Sequence, residues 1–186
     1  MDITNTDIPD LLILQPKRHG DDRGFFCESW NQSRMAEYGL HYDFVQDNHS
    51  LSRTAGTLRG LHYQAPPHAQ AKLVRCGRGR LYDVAVDIRV GSPTYGHWFG
   101  LDLTFENGLQ LLVPAGFLHG FITREPDTEV IYKCTDYYAP ECDGAVRWDS
   151  CGINWGTAIE PVLSAKDAAA SALADFVSPF IYEARA

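Results

Sequence analysis

Residues 72–88 read KLVRCGRGRLYDVAVDI, two runs of branched and aromatic residues separated by a turn near Gly77–Gly79. Runs of this kind, bounded by turn residues, predict strands rather than helices. The second run, LYDVAVDI (81–88), is apolar on both faces of such a strand. Strands covered on both sides suit a sandwich whose outer face is also buried, and a second subunit is the expected cover.

The same punctuation recurs along the chain. Strands are predicted at LLIL (11–14), DFVQDNHS (43–50), TLRGLHY (57–63), WFGLDLT (98–104), LQLLVP (109–114), GFITR (120–124), EVIYKCTDYY (129–138) and AVRWD (145–149). Their regular spacing favours a sandwich or barrel. No long amphipathic helix lies between them to supply parallel crossovers. Two helices are expected. One spans about 31–38, with Asn31 as N-cap and Gly39 just past its end; the other opens at SAKD (164–167) and continues through AAASALADF (168–176). Without repeats or a linker, the chain reads as one all-β domain over 1–186, with a core at about 43–150 and a helical tail at about 164–186.

The 186 residues are 45% apolar and 12% aromatic, the make-up of a globular chain with a sizeable core. A formal charge of −8, from 24 acidic and 16 basic residues, argues against non-specific binding to nucleic acid or a membrane surface. It leaves room for an anionic small ligand held by a few local cations. Five cysteines (Cys27, Cys76, Cys134, Cys142, Cys151) form no CxxC pair, which speaks against a disulfide scaffold or zinc ribbon. The N-terminal LLIL is too short for a signal-peptide core, and no window approaches the roughly 20 apolar residues of a membrane span. A cytoplasmic location is the default.

Chemistry concentrates around LRGLHYQ (58–64). His62 is open to three readings: a proton-transfer group, a metal ligand, or a core residue with a satisfied ring. Arg59 precedes it, Lys72 opens a following strand, and His119 follows the break PAG (114–116). Four groups able to carry positive charge near one interior fit a ligand site better than a core. Residues three apart on a regular strand face opposite sides, so Arg59 and His62 share a cleft only if Gly60 bulges the strand or the strand ends there. PAGFLH (114–119) fits a cupin half-motif in which the histidine binds metal. The partner half-motif is lacking, since Tyr63 and Gln64 follow His62 and no carboxylate comes before Asp83. That leaves fewer than the three protein ligands a catalytic metal usually has, unless His49 or Asp83 converges on the two histidines. Tyr132 reads equally as packing. Asp167 reads equally as the third residue of a helix capped by Ser164.

The run FVQDNHSLSRTAGTLRGLHYQAPPHAQAKLVRCGRGRLYDVAVDIRVGSPTYGHW (44–98) resembles the dTDP-4-dehydrorhamnose 3,5-epimerases. So do GDDRGFFCESW (20–30), LLVPAGFLHGF (111–121), EVIYKCTDYYAPECDGAVRW (129–148) and EPVLSAKD (160–167), in the same order along the chain. The resemblance implies a cupin-like jelly-roll β-barrel with short N- and C-terminal helices, and a homodimer sharing site residues between subunits. It implies no metal or other cofactor, and conversion of dTDP-4-dehydro-6-deoxy-D-glucose to dTDP-4-dehydro-L-rhamnose. By the same resemblance His62 is the base, Asp167 orients it, Lys72 neutralises the enolate oxygen and Tyr132 is the acid. Arg23, Glu28, Gln46, Asp47, Asn48, Arg59, His119, Asp143 and Lys166 match substrate-contacting positions, although Asp143 stands where many relatives carry glutamate. Arg suits paired phosphate-oxygen contacts, and a diphosphate carries roughly two negative charges. Leu118, where alanine is commoner, and the unmatched tail after Asp167 leave open a single-carbon epimerase of another deoxysugar route. A 3,4-ketoisomerase, a metal-dependent cupin enzyme and a non-catalytic sugar-nucleotide binder rank lower.

Overall fold

The computed structural model describes residues 1–157 and 160–183. The last three residues of the expected tail lie outside them. In chain order the elements are β1 (Asp2–Asn5), β2 (Leu12–Gln15), β3 (Arg18–Asp21), β4 (Gly24–Cys27), α1 (Gln32–Glu37), β5 (Gln46–Ser52) and β6 (Leu58–Gln64). They continue with β7 (Lys72–Arg78), β8 (Arg80–Asp87), β9 (Trp98–Thr104), β10 (Gln110–Val113), β11 (Phe117–Thr123), β12 (Thr128–Cys134), β13 (Asp143–Ala145) and α2 (Ala165–Ala168). The strands form a six-stranded sheet, β1-β2-β10-β7-β12-β5, facing a five-stranded sheet, β13-β6-β11-β8-β9, with β3 and β4 as a separate hairpin. This is a cupin-like jelly-roll.

The turn in KLVRCGRGRLYDVAVDI falls at Gly79, whose φ of +74° favours glycine. The strands on either side do not pair. β7 lies between β10 and β12 in one sheet, while β8 lies between β11 and β9 in the other, so the chain changes sheet at this residue. The two faces of β8 then meet different partners. Leu81 and Ala85 point into the core between the sheets, with Val74, Leu111, Phe117 and Val130. Val84, Val86 and Ile88 point outward, where Trp155, Leu173, Phe176 and Phe180 of the same chain cover them. The outer cover expected from a second subunit is therefore intramolecular. The six-stranded sheet is covered likewise, by Met35 of α1 and Leu40 against Leu12, Leu14, Leu73 and Leu112.

α1 forms as expected, with the Asn31 side chain accepting from the Arg34 amide at 3.1 Å. The C-terminal segment does not. α2 is a single turn capped by Ser164, and a short 3-10 turn at Leu173–Asp175 follows an extended stretch. There Ser171 bridges Val146, and the Arg147 amide donates to the Ser171 carbonyl at 2.8 Å. The alanine-rich run has at most about 1 kcal/mol per residue of helix preference, whereas seating a Leu or Phe side chain contributes about 1.5–3 kcal/mol. Packing of Leu173, Phe176 and Phe180 outweighs the propensity. β1 and the β3–β4 hairpin were not legible, because four-residue strands such as RHGD carry no apolar alternation. Among the described residues no helix is long and apolar enough to cross a membrane.

Candidate active site

A cavity of about 410 Å³ opens inside the barrel, lined by Arg59, His62, Lys72, His119, Tyr132, Lys166 and Asp167, with Phe121 and Leu163 among its apolar walls. These seven residues lie on β6, β7, β11, β12 and the segment around α2. The sequence places them up to 108 positions apart, from Arg59 to Asp167, and the two sheets bring them together.

Arg59 and His62 share the cavity because β6 carries an extra residue. His62 pairs with His119 across to β11, and Arg59 pairs with Phe121, so three steps on one strand match two on the other. Gly60 sits in this bulge with φ +132°, and a Cβ there would stand 2.6 Å from the Gly120 Cα. Only glycine fits so close a backbone approach. The bulge leaves Arg59 donating to the Ser52 hydroxyl and the Leu51 carbonyl, each at 3.3 Å.

His62 and Asp167 are joined by a 2.6 Å hydrogen bond between Nε2 and Oδ1. This leaves Nδ1 as the ring's second nitrogen. Asp167 is almost fully buried, and burial alone would raise its carboxyl. Hydrogen bonds and charge from His62, with bonds from Ser164 and the Gly60 amide, outweigh burial and hold it below the usual carboxylate range. The capping role also stands, since the Ser164 hydroxyl accepts from the Asp167 amide at 3.1 Å. Lys72 is pushed below the ordinary lysine range by burial, against the pull of nearby Cys134, Asp143 and Asp83. Burial likewise pushes the Tyr132 phenol up, with Arg59 opposing. The cavity thus holds an ionised carboxylate bonded to His62, a desolvated lysine and a phenol that keeps its proton.

His119 has a carboxylate of its own. Its Nε2 lies 2.8 Å from Oδ1 of Asp83, which is wholly buried. The sequence raised Asp83 only as a conditional metal ligand, not as a partner that holds the His119 ring. The signal was present, because Asp83 alternates with Leu81 and Ala85 on the inner face of β8, where an acid needs a partner.

Other expected residues divide. Asp143 forms an ion pair with Lys166 at the cavity edge and accepts from the Tyr138 hydroxyl at 3.3 Å. On β5, Gln46 and Asn48 take the half-buried positions in line with Ser50, which lines the cavity. The Asn48 amide donates to Cys134 Sγ, 3.5 Å away. Asp47 takes the opposite face and pairs with Lys133 at 2.9 Å, so strand alternation keeps it out of this cavity. Arg23 and Glu28 do not line it either: Arg23 pairs with Asp21 in the β3–β4 hairpin, and Glu28 with Arg34. His49 points outward to Glu129 at 3.1 Å, so only Asp83 of the two converges on a site histidine. Among the described residues no three His, Cys, Asp or Glu side chains are grouped to hold a metal ion.

A sequence model of the dTDP-4-dehydrorhamnose 3,5-epimerase family matches residues 5–175. The chain is 52% identical over 176 residues to the dTDP-4-dehydrorhamnose 3,5-epimerase of Salmonella typhimurium, spanning 93% of this chain and 96% of that one. It superposes with a TM-score of 0.93 and 45% identity on the dTDP-6-deoxy-D-glucose-3,5-epimerase of Legionella pneumophila, solved in complex with dTDP-4-keto-L-rhamnose. That match covers 98% of this chain and 99% of the other. A 3'-monoepimerase from Streptomyces bikiniensis, solved with dTDP-quinovose, gives 0.86 and 34% identity, covering 91% and 86%.

Proposed function

This chain belongs to the dTDP-4-dehydrorhamnose 3,5-epimerase family, and on that premise we propose that it inverts C3 and C5 of dTDP-4-dehydro-6-deoxy-D-glucose to give dTDP-4-dehydro-L-rhamnose. The observation that carries the reading is the single cavity in which His62, Lys72 and Tyr132 meet, with Asp167 bonded to His62.

The chemistry follows from the ketone at C4, which acidifies the hydrogens on C3 and C5. His62 takes one of them as base, and its new charge is steadied by Asp167, whose lowered pKa keeps it anionic. The electron pair moves onto the C4 oxygen, where the Lys72 ammonium meets the enolate. Tyr132, its phenol kept protonated by burial, returns a proton from the opposite face. His62 then releases its proton to solvent and Tyr132 recovers one, so the cycle balances without a redox partner. Arg59 and the Lys166–Asp143 pair at the cavity edge suit the diphosphate and nucleotide end of the substrate.

We assign Arg23, Glu28 and Asp47 to a site completed by a second copy of the chain. Phe25 and Phe26 on the same hairpin as Arg23 are 46% and 71% exposed, which favours a homodimer contact there. Light scattering of the purified protein tests this, and a monomer at working concentration would count against it.

The catalytic reading is tested by incubating the protein with the keto-sugar in deuterated water, with a reductase to trap the product. Deuterium at both C3 and C5 is expected. Deuterium at one carbon alone would make the chain a single-carbon epimerase, and none at either would overturn the reading.

A further inference from the structure

Asp83 is wholly buried on the inner face of β8, diagonally across from His119 on β11, since His119 pairs with Ala85 and Phe121 with Asp83. One of its oxygens accepts from His119; the other, Oδ2, is buried with no hydrogen-bond partner among the described residues. An unpaired buried carboxylate oxygen is costly and calls for a compensating charge. Lys72 supplies one. It lines the same cavity as His119, and the charge of Asp83 acts on it to favour the ammonium.

Two other groups act on Lys72 in the same direction, and neither is a free fixed anion. Burial pushes the Cys134 thiol up, so it stays protonated near neutrality. Asp143 spends its charge in direct contact with Lys166. The remaining titratable groups lining the space around Lys72 are His62, Arg59, Tyr132, Tyr63 and Lys166, whose charge opposes the ammonium, and Asp167 is engaged by His62. Asp83 differs from Cys134 and Asp143 in keeping one buried oxygen without a partner among the described residues.

We propose that Asp83 is a positioning residue of the cleft, one oxygen fixing the His119 ring and the other supplying the negative field that keeps Lys72 an ammonium. This rests on the epimerase reading, in which Lys72 meets the developing enolate. Asp83 does not touch the sugar; it acts through His119 and Lys72.

The test compares wild type with Asp83→Asn. Binding of dTDP, followed by calorimetry, reports whether the variant is folded. The variant is expected to bind dTDP within a few-fold of wild type while kcat falls about 10- to 100-fold, less than the loss from removing an enolate-stabilising group outright. The alkaline limb of its rate profile should move to lower pH, because the ammonium loses its supporting anion. A limb that stays in place with dTDP still bound overturns the proposal, whatever happens to kcat. If the variant fails to fold, 15N NMR of the wild-type His119 ring decides: Nε2 carrying a proton is required, and a bare Nε2 overturns it. Absence of turnover in the wild type would instead fail the epimerase reading, and the NMR result would still judge Asp83.

Discussion

The cleft holds two histidine–aspartate pairs side by side, since His62 and His119 are direct cross-strand neighbours. Their chemistry is alike and their settings differ. His62 has 32% of its side chain exposed and takes its aspartate from the one-turn helix α2, on the segment that wraps the barrel. His119 is 9% exposed, and its aspartate, with none of its surface open, comes from a central strand. A base that releases protons to solvent needs water near it; a fixed hydrogen-bonding group does not. The contrast fits the proposed division, with proton traffic at the His62–Asp167 pair and orientation at His119–Asp83.

Exchanging each histidine breaks or sustains that division. His62→Ala should lower deuterium exchange at both carbons by about 10³-fold or more, whereas His119→Ala should chiefly raise KM. Equal losses of exchange in the two variants would erase the distinction. Tyr132→Phe extends the comparison to the opposite face of the sugar. It removes the acid and keeps the base, so completed inversion should fall about 10²-fold while exchange next to the ketone persists. NMR of the sugar followed over time separates the two, and parallel losses would place both proton transfers on one residue.

Asp167→Asn should have a smaller effect, about 10- to 100-fold in kcat with the fold intact. Water reaches the partly open His62 and replaces some of what the carboxylate supplies. An unchanged kcat would leave Asp167 as a helix cap alone.

The same two pairs mark how far the sequence could be read. The strand positions from β5 to β12, the Asn31 cap and the turn at Gly79 follow from local rules, because alternation and special φ values are properties of neighbouring residues. The Arg59–His62 bulge was conditional on Gly60, and the condition is met by the close approach of Gly120, a non-local contact. His62–Asp167 came from resemblance, because nothing local tells a capping aspartate from one aimed into a barrel. Asp83 could have been found by asking which partner an inward acid on β8 meets. The neighbouring Asp87 poses the same question and is answered differently, by Arg89 at 2.9 Å. The tail resisted reading because its alanines favour a helix while its aromatic residues belong against β8, and only the assembled sheet decides between them.

The smallest expected effect concerns stability in acid, and it also separates the two pairs. Burial tends to raise the Asp167 carboxyl, but His62 and its other hydrogen-bond partners leave it below the usual range in the folded protein. A carboxylate depressed on folding contributes stability above its unfolded pKa, near 3.9, and loses that contribution as pH falls through the folded value. Lys72 slopes at the other end of the scale: burial depresses its ammonium, so its cost to the fold fades only as the solution becomes alkaline. Acid titration therefore isolates Asp167 from Lys72. Urea midpoints for wild type and Asp167→Asn should differ most between about pH 5 and 7 and converge below about pH 4. A gap that stays constant into acid would mean that the carboxylate contributes through shape alone, and the open pair would then be built like the sealed one.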